Sequence, residues 1–126
     1  MSETTMVYDA TDKILGRLAS QVAKEIGSTA ITFCADVSVE KEVTNMIDFV
    51  IGELGHLDIL VNNAGAIPAG NLQAVDEETW RAAWDLKVFG YINMTRAMMA
   101  GMVARGEGVI VNVVGLAGLR MDAGYV

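Results

Sequence analysis

The chain has 126 residues, of which 52% are hydrophobic, and it carries a net charge of -7. This length suits one domain with a modest core, and the hydrophobic fraction excludes a disordered chain. The negative charge opposes binding to nucleic acid or to anionic membrane surfaces, and a single cysteine excludes an internal disulfide.

The first half of the chain alternates strand-like and helix-like segments. A short strand is predicted over residues 5–9, and a helix over residues 14–26, where apolar residues recur at helical spacing. The β-branched and aromatic run of residues 30–34 predicts a second strand, with its cysteine packed inside as a small apolar group. A wide apolar stripe over residues 39–54 predicts an amphipathic helix, for which Ser38 is the expected N-cap.

The second half continues the alternation. Residues 57–62 predict a strand, and because residues 59–61 are apolar without alternation, we expect both of its faces to be covered. Asp76 is the expected cap of a long helix over residues 77–104, whose methionines suit a core or a subunit contact. A last strand is predicted over residues 109–114. Helix-length spacers between strands require parallel pairing, so we predict an α/β fold with about four parallel strands in the order 2-1-3-4.

The most specific motif is the run Asp-Ile-Leu-Val-Asn-Asn-Ala-Gly at residues 58–65. A short apolar run ends there in two amides and two small residues, which is typical of a strand end that presents its backbone to a ligand. The motif resembles the Asn-Asn-Ala-Gly signature of the short-chain dehydrogenase/reductase family, and the resemblance continues from about Ala30 to Val126. It implies a Rossmann-like open sheet flanked by helices and an NAD(P)-dependent oxidoreductase.

The resemblance also implies which residues would contact the cofactor, at the carboxyl ends of the strands. Asp36 would accept a hydrogen bond from the adenine amino group, and Val37 would pack on the adenine ring. Asn63, Ala64 and Gly65 would run beside the adenosine ribose. The alternative for Asp36 is a carboxylate that caps a turn.

The positions that carry catalysis in the family are substituted here. Lys87 stands where the family has an Asn in its long helix, and Gly115 stands where it has the catalytic Ser. The Tyr-x-x-x-Lys pair has no counterpart, because Tyr125 comes too early and no Lys follows it. These substitutions resemble a divergent branch of the family. We therefore expect no catalytic residue, no metal site and weak binding of NAD or NADP.

The start of the chain departs from the family pattern. The glycine-rich turn that would hold a pyrophosphate is reduced to Gly16, and two aspartates lie beside it. Residues 7–24 resemble the opening of large-subunit ribosomal protein thirteen in its archaeal and eukaryotic form. A simple amphipathic helix is the alternative. We expect a single truncated NAD(P)-binding domain over residues 1–126, in which residues 1–28 are a candidate foreign segment.

Three functions remain open at this point. The first is an inactive or incomplete oxidoreductase fragment that binds a nucleotide cofactor. The second is a non-enzymatic scaffold or homo-oligomer that associates through the helix over residues 77–104. The third is ribosomal RNA binding through the first segment, which the acidic charge opposes. No apolar run approaches the roughly 18 residues that span a bilayer, and the first residues are polar, so we expect a cytoplasmic protein without membrane contact.

Overall fold

The computed structural model describes these residues of the chain: 8–9, 27, 31–65, 68 and 70–115. The chain forms two compact units, residues 1–36 and residues 37–126. None of the helices in the described ranges is long and apolar enough to cross a membrane. The helix predicted over residues 14–26 lies outside the described residues, as do Gly16 and Tyr125.

The first unit contains a parallel pair of short strands. Strand β1 (Tyr8–Asp9) pairs with β2 (Thr32–Phe33), so the predicted pairing of the first two strands is confirmed. Strand β2 is shorter than predicted and ends before Cys34. Because Cys34 lies beyond the strand and is exposed, the expectation that it packs inside the strand was wrong.

The described part of the second unit contains another parallel pair of strands and three α-helices. Strand β3 (Ile59–Asn62) pairs with β4 (Val109–Asn112), in register from the first residue of each strand to the last. The α-helices are α1 (Glu40–Leu54), α2 (Glu77–Trp84) and α3 (Gly90–Arg105). The long helical connection between β3 and β4 permits parallel pairing, as predicted.

The core of the second unit lies between the sheet and helices α1 and α3. Leu60 of β3 packs with Met98 and Met102 of α3, and all three are buried. Residues from both helices, from β4 and from the segment before β3 pack partly buried against this cluster: Ile47, Ile51, Leu57, Met94 and Ile110. Each fully buried side chain of this size contributes about 1.5–3 kcal/mol. The expectation that the methionines serve the core is confirmed for Met98 and Met102.

The N-cap of helix α1 lies one residue after Ser38, the predicted cap. Val39 is the N-cap, in an extended conformation, and its carbonyl accepts the amide hydrogens of Glu42 and Val43 at 2.9 and 3.1 Å. Because the first helical hydrogen bonds end on Val39, Ser38 lies outside the helix and its prediction as the N-cap was wrong. The acidic residues Glu40 and Glu42 occupy the first turn, where the helix dipole favours them.

The helix predicted as continuous over residues 77–104 is divided. A π-helical turn over residues 85–89, named the π-turn below, separates α2 from α3. Its hydrogen bond runs from the Gly90 amide to the Asp85 carbonyl, five residues back. Such turns are rare and occur often at functional sites.

The start of α2 is capped as predicted. The Asp76 carboxylate accepts the Thr79 amide hydrogen at 2.8 Å. This backbone hydrogen bond, together with one from the Thr79 side chain, lowers the pKa of Asp76 below its usual value.

One face of the β3–β4 pair is apolar and exposed. Leu60 is 5% exposed, whereas Ile59 and Val61 are each 54% exposed. Successive side chains of a strand point to opposite faces, so the helices cover only the face of Leu60. Val109 and Val111, the register partners of Ile59 and Val61, are also exposed. The expectation that both faces of β3 are covered was therefore wrong.

Candidate functional site

Strands β3 and β4 end side by side and define one edge of the second unit. The Val113 amide donates to the Asn62 carbonyl at 2.9 Å, which extends the pairing one residue beyond β4. Asn63, Ala64 and Gly65 follow β3 directly; Asn63 and Gly65 are exposed and Ala64 is half-buried. Ligands of open parallel sheets bind outside this end of the strands. The structure therefore leaves the predicted motif residues accessible at the edge where a ligand would bind.

A buried amide fastens this edge together. Asn62 is 4% exposed, and its Nδ2 donates to Asn112 Oδ1 at 2.8 Å and to Thr95 Oγ1 at 3.3 Å. These bonds join β3, β4 and α3 at the carboxyl end of the sheet. Asn62 was not predicted as a site residue from the sequence. The pairing of one Asn at the end of each strand could have indicated it.

Lys87 of the π-turn reaches the same edge. Its Nζ donates to the Tyr91 hydroxyl at 3.0 Å and to the Val113 carbonyl at 2.9 Å. The Tyr91 hydroxyl also donates to the Val113 carbonyl, at 2.9 Å, and Nζ lies 5.0 Å from the Tyr91 ring centroid. Lys87 and Tyr91 thus hold the backbone that follows β4. Tyr91 was missed in the sequence, although its spacing of four from Lys87 favours contact on a helix.

The motif glycine makes room for this lysine. A Cβ atom on Gly65 would lie 2.6 Å from Cδ of Lys87 and 3.1 Å from its Nζ. Real Cβ atoms essentially never approach another atom within 3.0 Å. The structure therefore brings together Gly65, which was expected beside the ribose, and Lys87, for which no catalytic role was expected.

Val37 is fixed against the start of α3. It is buried, and a Cβ atom on Gly90 would lie 2.8 Å from Val37 Cγ2. Asn93 Nδ2 donates to the Val37 carbonyl at 3.3 Å. Asp36 is exposed and belongs to the other unit. The adenine roles expected for Asp36 and Val37 stay predictions.

Gly115 lies two residues beyond Val113, whose carbonyl Lys87 holds. It is exposed, and it has no side chain to orient a substrate oxygen. The structure thus links Lys87, which replaces the family's Asn, to the Val113 backbone, two residues before Gly115, which replaces the family's Ser. The expectation that neither residue is catalytic stays a prediction.

Known proteins resemble this chain over most of its length. The family model for short-chain dehydrogenases matches residues 2–126. The 17-beta-hydroxysteroid dehydrogenase 13 of Mus musculus is 35% identical over 96 residues, which are 75% of this chain and 31% of that protein. The inactive 2-(S)-hydroxypropyl-CoM dehydrogenase 2 of Xanthobacter autotrophicus is 35% identical over 113 residues, 87% of this chain and 49% of that protein. The chain spans about a third to a half of the length of these curated relatives.

Solved structures share the fold. A short-chain dehydrogenase from Streptomyces avermitilis is 26% identical with a TM-score of 0.80, over 97% of this chain and 43% of that one. NAD+-bound xylitol dehydrogenase is 24% identical with a TM-score of 0.88, over 96% of this chain and 47% of that one, and this likeness concerns the fold alone. The predicted Rossmann-like α/β fold with parallel strands is confirmed. The chain belongs to the short-chain dehydrogenase family.

The resemblance of residues 7–24 to a ribosomal protein is not supported. The family match begins at residue 2 and so includes this segment. Within it, Tyr8 and Asp9 form β1, which pairs in parallel with β2 as the first strand of an α/β sheet would.

Proposed function

We propose that this chain forms the ligand-side wall of an NAD(P)-dependent oxidoreductase domain. The observation that supports this proposal is the shared end of β3 and β4, where Asn63 and Gly65 are exposed. In the roles that the family resemblance implies, Asn63 to Gly65 run beside the adenosine ribose, and Asp36 and Val37 contact adenine. A cytoplasmic location is part of the same proposal.

The residues at this edge fit the task of holding a flat nucleotide against backbone. The exposed main chain of residues 63–65 carries small side chains after Asn63, so a ligand can approach it closely. Asn62 fixes β3 to β4, and Lys87 fixes the Val113 carbonyl, so the edge is rigid before a ligand arrives. A bound nicotinamide would supply the hydride chemistry, and the protein would hold the cofactor in position.

We further propose that cofactor binding by this chain is weak and that it does not turn over substrate alone. Gly115 has no hydroxyl where the family has its catalytic Ser, and Lys87 stands where the family has an Asn, so the usual hydroxyl and the usual amide are missing at these two positions. One of the similar proteins, from Xanthobacter autotrophicus, carries the word inactive in its own name.

Calorimetric titration of the chain with NADH and with NADPH tests the binding. We expect dissociation constants weaker than about 100 μM, at which the binding free energy is about -5.5 kcal/mol. Asn63→Ala should weaken the residual binding further, and Asn45→Ala, an exposed amide on α1, should not change it. Micromolar affinity for either nucleotide would contradict weak binding. Hydride transfer that Lys87→Ala abolishes would contradict the absence of turnover.

A second function, homo-oligomerisation through residues 77–104, has a separate observation in its favour. Trp84, Val88 and Ile92 recur at intervals of four residues and are exposed, as is Phe89. Apolar side chains in such a row favour contact with another helix. Sedimentation velocity should show a dimer or larger assembly that Trp84→Glu dissociates. A monomer at all concentrations would contradict this function.

A further inference from the structure

Lys87 retains donor capacity after its observed hydrogen bonds are made. An ammonium group has three N–H donors. Two of them serve the Tyr91 hydroxyl at 3.0 Å and the Val113 carbonyl at 2.9 Å. These two bonds hold Nζ in place beside the exposed Gly65, so the remaining N–H is presented from a fixed position.

Among residues 31–65 and 70–115, no acidic side chain forms an ion pair with Lys87. Both observed acceptors are neutral, and the ion pairs found among residues 31–65 and 70–115 involve other groups. Lys87 is also half-buried, so its charge is less screened than that of a lysine extended into solvent. A half-buried cation with neutral partners attracts an anion.

The position of Lys87 is one where a ligand would be expected. The residue lies in the π-turn, a backbone form found often at functional sites. Its hydrogen bond to Val113 brings it to the carboxyl end of β4, the end at which open parallel sheets bind ligands. The Lys87 ammonium group therefore lies both in the π-turn and at the ligand-binding end of the sheet.

We propose that the Lys87 ammonium binds an anionic oxygen, of a carboxylate or a phosphate, on a ligand seated at the ends of β3 and β4. A lysine binds such groups as a point charge, and a hydrogen bond between ions is shorter and stronger than a neutral one. Tyr91 and the Val113 carbonyl serve as positioning groups that hold the ammonium. The anion-binding site is argued from the geometry around Lys87 alone. Only the assignment of its ligand to a cofactor or a substrate rests on the proposed function.

The direct test observes the lysine ammonium groups of the intact chain by NMR. The chain has four lysines, so ¹⁵N-lysine labelling gives few signals, and the signal lost in Lys87→Arg identifies Lys87. Separate titrations with sodium phosphate, sodium acetate and NADH are compared with sodium chloride at equal ionic strength. We expect a saturable shift of the Lys87 signal in at least one of the three titrations, and none for exposed Lys41.

The response identifies the source of the anion. A shift with phosphate or NADH but not acetate assigns Lys87 to a phosphate, and a shift with acetate alone assigns it to a substrate carboxylate. If Lys87 responds to phosphate or acetate while NADH binds nowhere on the chain, the anion site stands and the proposed cofactor binding fails. If the Lys87 signal follows the chloride control in all three titrations, the anion site is overturned.

Variants provide the quantitative check. Lys87→Met should weaken binding of the responding anion about tenfold or more, since it removes a charge-assisted hydrogen bond, and Lys41→Met should leave it unchanged. Lys87→Met also breaks the tie to Val113 and could unfold the edge. Tyr91→Phe provides the second variant, because it keeps the charge and loosens its position, and it should weaken binding less than tenfold. Equal affinity of folded Lys87→Met and the original chain would overturn the proposal.

Discussion

Gly65 and Lys87 lie in direct contact across the ligand end of the sheet, because a Cβ atom on residue 65 would fall 2.6 Å from Lys87 Cδ. The two positions belong to different elements, the loop after β3 and the π-turn. The contact therefore couples the most specific motif of the sequence to the most unusual backbone segment of the second unit.

Gly65→Ala should displace Lys87 from this contact. The lysine stem is flexible and can swing into solvent, so we expect a loss of only about 1 kcal/mol, the worth of the hydrogen bonds it abandons. Gly101→Ala is the matched control, because its Cβ would meet nothing closer than 3.7 Å and should stabilise α3 by about 0.5–1 kcal/mol. Urea unfolding measures both. A stability gain in Gly65→Ala would contradict the contact.

Gly90→Ala should destabilise the chain even though alanine favours a helix. The added Cβ would lie 2.8 Å from Val37 Cγ2, and Val37 is buried and stiff at χ1, so it cannot turn away. We expect a net loss of about 1–2 kcal/mol from overpacking. Adding Val37→Ala should recover about 1 kcal/mol relative to the sum of the single changes. Strict additivity of the two changes would show that they do not meet.

The buried amide of Asn62 should be costly to remove. Asn62→Ala loses the hydrogen bonds to Asn112 and Thr95, and we expect a loss of about 2–3 kcal/mol. Asn112→Ala should cost only about 1 kcal/mol, because Asn112 is exposed and Asn62 keeps its bond to Thr95. A double-mutant cycle by chemical denaturation should give a coupling of about 1 kcal/mol between Asn62 and Asn112. No coupling would contradict the observed bond.

The cap at Asp76 should make α2 sensitive to acid. Hydrogen bonds from Thr79 lower the pKa of Asp76 in the folded chain, so its contribution to stability is full above the unfolded pKa of about 3.9 and is lost as the pH falls through the folded pKa. Asp76→Asn keeps a capping side chain without a titrating group, and its stability should fall less between pH 5 and pH 2, about the window in which a paired Asp titrates. Thermal unfolding followed by circular dichroism compares the two. Identical acid dependence would contradict the cap.

The exposed apolar face of β3 and β4 should limit solubility. Val61→Thr and Val111→Thr replace exposed side chains by β-branched polar ones that keep strand propensity. We expect less binding of a hydrophobic dye and a higher soluble concentration, with stability changed by less than about 0.5 kcal/mol. Leu60→Ala, on the covered face, should instead cost about 2–5 kcal/mol. Equal effects of Val61→Thr and Leu60→Ala would mean that both faces are packed.

The sequence was sufficient for the fold because strands and helices follow periodicity, and the pairing of β3 with β4 follows from the length of their connection. It was insufficient for the π-turn, because one extra residue per turn leaves no distinct side-chain pattern between Trp84 and Gly90. The apolar run at residues 59–61 could not reveal that only one face is covered, since that depends on what packs against it. Likewise, the sequence could not identify Tyr91 as a site residue, because its role depends on a hydrogen bond to the Val113 carbonyl, 22 residues away in sequence.

The π-turn takes up one residue more than an α-helical turn does. An α-helical hydrogen bond joins residues four apart, whereas the bond from the Gly90 amide to the Asp85 carbonyl joins residues five apart. Because the extra residue is contained within a single turn, loss of one residue between Asp85 and Phe89 would restore a regular α-helix while α2 and α3 keep about their present faces. Length variation in this segment would therefore change the local position of Lys87 relative to the Val113 carbonyl and leave the core of Met98 and Met102 intact.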